Sequence, residues 1–437
     1  MKSLVAAGTL AVVGAFLFAP VGHAQNRSEA PLRPASADAE FACPPAEEGP
    51  GRPLAAVRYL ADDALEGRFS GSPAERCAGD YIADRFASLG LEPAGEDRWF
   101  QSLPLASAAR PHAPSGIGRN VLGLLRGSEP EAGVVVVGAH YDHLGYGEFG
   151  STGESGRIHN GADDNASGVA AMIEAARRLV EGPRPERSIL FIAFTGEELG
   201  LIGSSHYAKN PTIPLERTIA MINLDMVGRL GDGELIVYGT GTAPEWADIL
   251  PAANAGLDLP LVYEEAGFGP SDHTSFYASG VPVLHLFTNV HGDYHRETDD
   301  WEKIDADGLT RIARFTARLA GELAGRPGRL TLIPGVGERE QRAEGYGAWL
   351  GTVPDFTPVE RGVLLAGVSA GSPAEEVDLR KGDVVVGVGE HEVEDLYGLT
   401  DALRAHRPGD EVVVRYLRDG VERSVTLTLG DRSERPR

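Results

Sequence analysis

The chain has 437 residues, of which 42% are apolar and 24% charged, and its formal net charge at pH 7 is −24. This length predicts two or three domains with a sizeable core, and the composition is ordinary for a globular protein in water. The strong negative charge argues against nucleic acid or an anionic membrane surface as a partner, because both bind through basic patches.

Residues 1–24 have the features of a secretory signal peptide. Lys2 precedes a short apolar run, and Gly22 and Ala24 stand at the small-residue positions before the predicted cleavage point. A retained membrane anchor is the alternative, but no later apolar run approaches the roughly 20 residues that a membrane span needs. We therefore expect export to the periplasm or the medium, no membrane span after cleavage, and a poorly ordered N-terminal extension over residues 25–52.

The chain contains two cysteines, Cys43 and Cys77. In the oxidising compartment that export implies, an even pair is expected to form a disulfide, which would tie the N-terminal extension to the helix that follows it. Two free buried thiols are the alternative. Metal binding by these residues is not expected, because neither has a second cysteine close to it.

Residues 53–325 alternate between apolar, strand-like runs and segments with helical spacing. The helical segments include SGVAAMIEAARRLVEG, in which apolar residues recur three and four apart. Continuous apolar strands that alternate with helices predict an α/β domain with a mainly parallel central sheet sandwiched by helices. The predicted strands are NVLGLLRG, GVVVVGAHYD, RSILFIAFTG, TIAMINLDMVG, GELIVYG and VPVLHLFT.

The pattern changes after residue 325. Residues 326–337 are rich in Gly, Pro and charge, and we interpret them as a linker. Residues 338–430 contain shorter runs typical of hairpin strands, an Asp-Gly turn in RDGVERS and one helical segment, LYGLTDALRAH. They predict a second, smaller domain of short strands and helices.

Polar residues stand where the strands of the first domain are predicted to end, the place where ligand sites form in open α/β sheets. On an extended chain His140 and Asp142 face the same way, so a metal could bind one imidazole nitrogen while the carboxylate fixes the other. Asp163 and Asp164 occupy a glycine-flanked loop before a helix. Strand capping and ordinary helix capping are the simpler alternatives.

Three further motifs carry similar residues. FTGEELG places Glu197 beside Glu198 at a strand end, where adjacent side chains diverge. MINLDMVG places Asp225 in an apolar strand, which is costly for a carboxylate that is neither paired nor coordinating. DYHRETDD places His295 one helical turn before Asp299. Each motif alone could be a solvated strand end or a surface loop. Together the motifs supply histidine and carboxylate ligands suited to zinc, and a two-metal site needs a bridging carboxylate.

The ordered set HYD, GADDNASG, GEELG, NLDMVG and YHRETD resembles the secreted di-zinc aminopeptidases, whose peptidase family also contains glutamate carboxypeptidase and glutaminyl cyclase. The resemblance covers about residues 53–325 and implies an α/β zinc exopeptidase fold, peptide substrates and two Zn²⁺ ions as cofactors. It implies one bridging aspartate, a histidine and an aspartate for one ion, and a glutamate and a histidine for the other. These metal ligands are Asp164, His140, Asp225, Glu198 and His295, in that order.

The resemblance also implies roles around the ligands. Glu197 matches the family's general base, which takes a proton from a water or hydroxide that bridges the two zinc ions and returns it to the leaving amine. Asp142 is expected to support His140, and Asp299 to support the loop that carries His295.

Two further expectations follow from the same resemblance. The peptide bond between Asp164 and Asn165 is expected to be cis. Because five ligands already fill both metal positions, no ligand role is expected for the other acids and histidines of this region. These are Asp272, His273, His143, His159, His206, His285 and His291.

Residues 338–430 resemble a PDZ domain of the bacterial protease type, on stretches such as GVLLAGVSAGSPAEEVDLRKGDVVVGVGEHEV. In such domains a peptide adds as an extra strand, and backbone N–H groups of one loop hold its carboxylate. The resemblance assigns that loop to Ala348, Trp349, Leu350 and Gly351. A peptide or a protein C-terminus would be the partner, and a PDZ fold that serves only for packing is the alternative.

The leading hypothesis is an exported metallo-aminopeptidase that removes N-terminal residues from peptides. A glutaminyl cyclase with one zinc is the second hypothesis, and carboxypeptidase or dipeptidase action stays open. A binding protein with an inactive peptidase domain is the third. It predicts lost ligands, whereas all five ligand residues and Glu197 are present.

Overall fold

The structure is a computed structural model that describes residues 41–46, 53–105, 116–148, 150–336, 348–355, 359, 361–369, 371–393, 398–399, 402–403 and 405–431. The predicted signal peptide and most of the predicted N-terminal extension lie outside these residues. Cys43 and Cys77 form the predicted disulfide, with Cα atoms 5.4 Å apart.

One nine-stranded sheet forms the centre of the first domain. In chain order its strands are β1 (Glu92–Pro93), β2 (Phe100–Leu105), β3 (Gly116–Leu125), β4 (Val134–His140), β5 (Ser188–Phe194), β6 (Thr218–Leu224), β7 (Leu235–Tyr238), β8 (Leu261–Tyr263) and β9 (Val283–Phe287). The spatial order is β1-β3-β5-β4-β6-β9-β7-β8, and β2 also pairs with β3.

The four central strands of this sheet, β5, β4, β6 and β9, run parallel, as the sequence predicted. Toward the edges the sheet becomes mixed, because β3 pairs antiparallel with β5 and β7 pairs antiparallel with β9. Every residue of the four central strands is buried. Burial on both faces explains why these strands are continuous apolar runs rather than alternating ones.

Helices flank the sheet. They are α1 (Pro53–Leu60), α2 (Pro73–Ser88), α3 (Gly168–Glu181), α4 (Ile202–Lys209), α5 (Trp246–Asn254), α6 (His273–Tyr277) and α7 (Ala306–Gly325). Ser72 caps the start of α2 by accepting the N–H of Glu75, and Asp305 caps the start of α7 by accepting that of Gly308. α3 packs on α1, on α7 and on β4, whereas α4 packs on α6. In the described part of the chain no helix combines the length and apolar composition needed to cross a membrane.

The segment after α7, which the sequence predicted as a linker, lies against the first domain over its described residues 326–336. The hydroxyl of Tyr277 donates to the carbonyl of Ile333 at 2.7 Å and accepts the N–H of Val336 at 2.8 Å. The guanidinium of Arg187 donates to the carbonyls of Arg326 and Gly328. These bonds fix a stretch whose composition alone indicates flexibility.

The C-terminal part is a small domain of short antiparallel strands, as predicted. Its described elements are β10 (Ala348–Trp349), β11 (Thr352–Asp355), β12 (Val363–Val368), α8 (Pro373–Glu376), β13 (Val384–Val388), β14 (His391–Glu392), β15 (Glu411–Arg418), β16 (Val421–Thr428) and β17 (Gly430–Asp431). Strands in the order β11-β12-β13-β15-β16 form one sheet, with β14 on β13, while β10 pairs with β17. Within this domain Arg418 donates two 2.7 Å bonds to the buried carboxylate of Asp383.

Candidate metal centre

The five predicted metal ligands meet at the carboxyl edge of the parallel strands. His140 is the last residue of β4, and Asp225 directly follows β6. Because parallel strands all end at the same edge, residues far apart in sequence are brought together there. The remaining ligand residues follow β5, precede α3 and follow β9: Glu198, Asp164 and His295.

Asp164 lies between two groups of donor atoms. Its Oδ1 is 3.4 Å from His140 Nε2, and the same nitrogen is 3.3 Å from Asp225 Oδ1. Its Oδ2 is 3.1 Å from His295 Nε2, and that nitrogen is 3.3 Å from Glu198 Oε1. Each oxygen of the Asp164 carboxylate therefore faces a different histidine, as a bridging ligand does.

The separations of these donors fit shared metal ions. Two donor atoms bound tetrahedrally to one zinc ion at 2.0–2.1 Å are roughly 3.3–3.4 Å apart. The four separations around Asp164 lie between 3.1 and 3.4 Å. Imidazole nitrogen and carboxylate oxygen are ordinary zinc donors. The residues present thus fit two metal positions that share Asp164.

His143 also lies in this centre, although the sequence analysis gave it no ligand role. Its Nδ1 is 3.0 Å from Glu198 Oε1 and 3.9 Å from Asp164 Oδ2. Within the described residues, one donor group consists of His140, Asp164 and Asp225, and another of His143, Asp164 and Glu198. The spacing of His140 and His143, three residues apart in HYDH, is the sequence signal that could have identified His143 as part of this centre.

Asp142 supports the two glutamates as well as His140. His140 Nδ1 lies 3.2 Å from the backbone carbonyl of Asp142, whereas the carboxylate is farther away, at 3.8 Å. That carboxylate accepts the N–H groups of Glu197 at 3.1 Å and Glu198 at 3.3 Å, and the Ser70 hydroxyl at 2.7 Å. It therefore fixes the turn that presents both glutamates.

Asp299 acts on the bridging residue rather than on the loop of His295 alone. Its Oδ2 accepts the backbone N–H groups of Asp163 at 2.8 Å and Asp164 at 3.1 Å. The ring of His295 is oriented by another group, because its Nδ1 lies 2.9 Å from the carbonyl of Gly150. The fully buried carboxylate of Asp299 thus holds the backbone of Asp164 in place.

The peptide bond between Asp164 and Asn165 is cis, as the resemblance implied. The Asn165 side chain links the end of β6 to the start of α3. Its Nδ2 donates to the carbonyl of Leu224 at 2.9 Å, and its Oδ1 accepts the N–H groups of Met226 at 3.2 Å and Gly168 at 2.9 Å. These bonds bring Asp225 beside Asp164.

The histidines and carboxylates perturb one another strongly. Burial alone would raise the pKa of Asp164, but the neighbouring His143, His140 and His295 hold that pKa well below its usual value. Burial alone would lower the pKa of His295, but Glu198 and Asp164 raise it well above its usual value. Each group thus depends on an opposite charge, and in this protein bound cations would serve the carboxylates in that way.

Glu197 differs from the ligand residues. It is partly exposed and belongs to neither donor group of the described residues. Its withdrawal from water raises its pKa well above the usual value, and the negative charges of Glu198 and Asp225 raise it further, whereas His140 opposes this shift. A carboxylate with a raised pKa beside metal ligands is suited to accept a proton.

The motif PSDHTSF contributes buried residues near the centre but no member of either donor group. Burial raises the pKa of Asp272 to about 7. The rings of His273 and His285 lie with centroids 4.6 Å apart, and burial lowers both pKa values, that of His285 to about 4. Near neutral pH the two imidazoles are therefore uncharged, whereas Asp272 is close to half ionised.

Fold and site together define a zinc-exopeptidase type of α/β protein. A family model described as peptidase family M28 matches residues 120–320, and a PDZ domain model matches residues 353–429. The chain belongs to peptidase family M28 and carries a C-terminal PDZ domain.

Individual relatives agree with this membership. The chain is 32% identical over 197 residues to "Aminopeptidase YwaD" of Bacillus subtilis, covering 44% of this chain and 39% of that protein. It is 31% identical over 274 residues to the "Alkaline phosphatase isozyme conversion protein" of Escherichia coli, covering 58% of this chain and 74% of that protein. The first curated relatives are matched over only 39% to 57% of their own length.

Solved structures show the same fold. A Zn-dependent exopeptidase from Parabacteroides distasonis matches with a TM-score of 0.53 at 20% identity, covering 64% of this chain and 99% of that one. At this level of identity the similarity concerns the fold of the first domain.

Proposed function

We propose that this protein is an exported zinc-dependent aminopeptidase that hydrolyses N-terminal residues from peptides at a two-ion centre. The observation that carries the proposal is the placement of Asp164, with Oδ1 3.4 Å from His140 and Oδ2 3.1 Å from His295. Membership of a peptidase family and 32% identity to a protein named as an aminopeptidase support the reaction class.

The ligand residues divide between the two ions. His140 and Asp225 would hold one ion, Glu198 and His295 the other, and Asp164 would bridge them. Two zinc ions, when bound, would polarise the scissile carbonyl and make a water acidic enough to attack it near neutral pH. The protein itself has to hold these ligands, the substrate and a proton acceptor in the right positions relative to one another.

Glu197 is the proton acceptor in this proposal. Its backbone is fixed through the bond from its N–H to Asp142, and its strongest attractive electrostatic partner is His140. A cation bound at His140 would favour the ionised form of Glu197 and so oppose the upward pKa shift. Glu197 would then take one proton from the attacking water and pass it to the amine that leaves.

The two alternative functions make different demands on this site. A glutaminyl cyclase of the family needs one zinc, whereas donors for two positions are grouped here around Asp164. An inactive binding protein needs no complete ligand set. Complete donor groups and a carboxylate at Glu197 therefore favour the hydrolase.

Export is supported by the N-terminal sequence and by the disulfide between Cys43 and Cys77, since disulfides persist in oxidising compartments. For the PDZ domain we propose capture of a peptide or a protein C-terminus. Ala348, Trp349 and Leu350 are buried and Gly351 has φ of +86°, directly before β11, an end strand of its sheet among the described residues. An end strand is where a peptide adds.

Metal content and turnover of purified full-length protein test the proposal. Two zinc ions per chain and cleavage of aminoacyl reporters are expected, together with little action on N-blocked peptides. Chelation should abolish activity, and zinc should restore it. Glu197→Gln should keep both ions yet lose roughly 10²–10⁴-fold in kcat, because only the proton acceptor is removed.

The exposed Glu186 offers a control, since Glu186→Gln makes the same chemical change away from the centre. It should keep metal content and turnover. Full turnover in Glu197→Gln would remove the proposed role of Glu197. One zinc per chain with cyclisation of N-terminal glutamine would replace the aminopeptidase proposal by the cyclase.

A further inference from the structure

We propose that His143 is a fourth protein ligand at the metal position formed by Asp164, Glu198 and His295. This gives that position one protein ligand more than the position at His140 and Asp225. The inference rests on the proposed two-ion function and adds a ligand to it.

The contacts of His143 are those of a ligand rather than of a hydrogen-bonded side chain. The residue is 0% exposed, and among the described residues neither ring nitrogen has a hydrogen-bond partner. Glu198 Oε1 is likewise buried without one, although it lies only 3.0 Å from His143 Nδ1. Buried polar atoms are normally satisfied, so two such atoms this close and yet not bonded to each other call for a shared partner.

A metal ion is a partner with that geometry. Ligand atoms on one ion direct their lone pairs at the ion and not at each other, so they sit close together without forming a hydrogen bond. Four of the six separations among the donors of His143, His295, Asp164 and Glu198 are 3.0, 3.1, 3.3 and 3.9 Å. Three of these lie at or a little below the roughly 3.3–3.4 Å edge of a tetrahedron around zinc, and the longest, from His143 to Asp164, exceeds it.

The backbone explains how His143 reaches this place. β4 ends at His140, so the alternation of faces along a strand stops there. The N–H of His143 then donates to the carbonyl of Arg68 at 3.1 Å, and His143 pairs with Phe69 in an isolated bridge. The guanidinium of Arg68 in turn donates to the carbonyl of Tyr141 at 3.0 Å. These bonds turn His143 back toward Glu198.

The consequence is a centre with two unequal positions. Four protein ligands would hold one ion and three the other. The ion with four protein ligands should therefore bind more tightly, and the position with three leaves more of its coordination shell to water or substrate.

Zinc titration of full-length wild type and His143→Gln, with Co²⁺ absorption as a second readout, tests this inference without using activity. In wild type the position with four protein ligands should bind more tightly. His143→Gln should weaken one of the two sites by more than about 100-fold and change the Co²⁺ bands of that site, because an imidazole is lost from the ion itself. Loss of a supporting group outside the ligand shell would cost only about 10–100-fold.

His159→Gln is the matched control. The His159 ring is also buried, but its nitrogens have partners in Ser151 Oγ at 2.7 Å and the carbonyl of Arg157 at 2.9 Å. It should leave both affinities and the Co²⁺ bands unchanged. His143→Cys, which supplies another zinc donor, should retain the site and guards against a folding defect in His143→Gln.

Wild-type affinities and bands in a folded His143→Gln would overturn the inference while leaving the two-ion proposal intact. A wild-type protein that binds no metal would instead overturn the proposed function. If His159→Gln weakened zinc binding as much as His143→Gln, the loss of any buried histidine near the centre would lower the zinc affinity. That result would also overturn the ligand role of His143.

Discussion

The stability of the first domain should depend strongly on Arg68. Its guanidinium is 1% exposed and donates to backbone carbonyls only: Tyr141 at 3.0 Å, Asn160 at 2.6 Å, Gly161 at 3.0 Å and Leu60. Burial lowers its pKa to about 10, so it stays charged at neutral pH. In Arg68→Met the carbonyls of Tyr141, Asn160 and Leu60 lose their donor, whereas that of Gly161 keeps the N–H of Ala166 at 3.2 Å. At about 1 kcal/mol for each of the three unsatisfied groups, the lower end of the usual cost, the loss is about 3 kcal/mol.

A loss of this size should lower the Tm of the first domain by about 6–12 °C. Calorimetry of the metal-free protein measures it. Arg184→Met is the control, because Arg184 also donates to two backbone carbonyls, at 3.1 and 3.2 Å, but at the surface. It should cost less than about 0.5 kcal/mol. A Tm for Arg68→Met within about 2 °C of wild type would refute the reasoning that these four bonds fix the segments around the centre.

Two further predictions concern Glu75 and the disulfide. Burial, with the nearby Asp142, raises the pKa of Glu75 to about 8, so folding takes up a proton and stability falls as the pH rises from about 4.5 to 8. Glu75→Gln should remove this loss, which is at most about 5 kcal/mol. Urea unfolding should show a higher free energy of unfolding for the variant at pH 8 but not at pH 5. An equal effect at both pH values would contradict the raised pKa of Glu75. Replacing Cys43 and Cys77 by serine removes a cross-link between residues separated by 34 positions and should lower the free energy of unfolding by about 2–4 kcal/mol. If neither a reductant nor the double substitution changed the thermal unfolding, the disulfide would not stabilise the domain.

The sequence predicted the central sheet and the polar residues at its strand ends because both are visible in local patterns, whereas the choice of five of those residues as metal ligands came from the family resemblance and stays a prediction. Continuous apolar runs mark buried parallel strands, and a polar residue at the end of such a run, as at His140 or Asp225, stands out against them. Parallel strands end at one edge, so the convergence of these ligands followed from topology. The disulfide between Cys43 and Cys77 followed from the cysteine count and the expected compartment.

Other features depend on contacts that the sequence does not display. His143 is out of phase with His140 on a strand, and backbone contacts with Arg68 and Phe69 turn it back. The segment 326–336 has the composition of a linker, yet Tyr277 and Arg187 fix it to the domain. Asp299 was expected to support the loop of His295, but its carboxylate reaches the backbone of Asp164, a contact across 135 positions.

The scattering of the ligand residues between positions 140 and 295 has a consequence for the order of events in the cell. An unfolded chain presents these side chains on separate stretches, so only the native sheet offers a high-affinity binding place. An ion that binds the native state alone stabilises it by RT ln(1 + [L]/Kd), about 2.7 kcal/mol at 100 times Kd. If the chain crosses the membrane unfolded, it must acquire zinc at its destination, after folding, and the metal supply of that compartment decides how much of the protein becomes active.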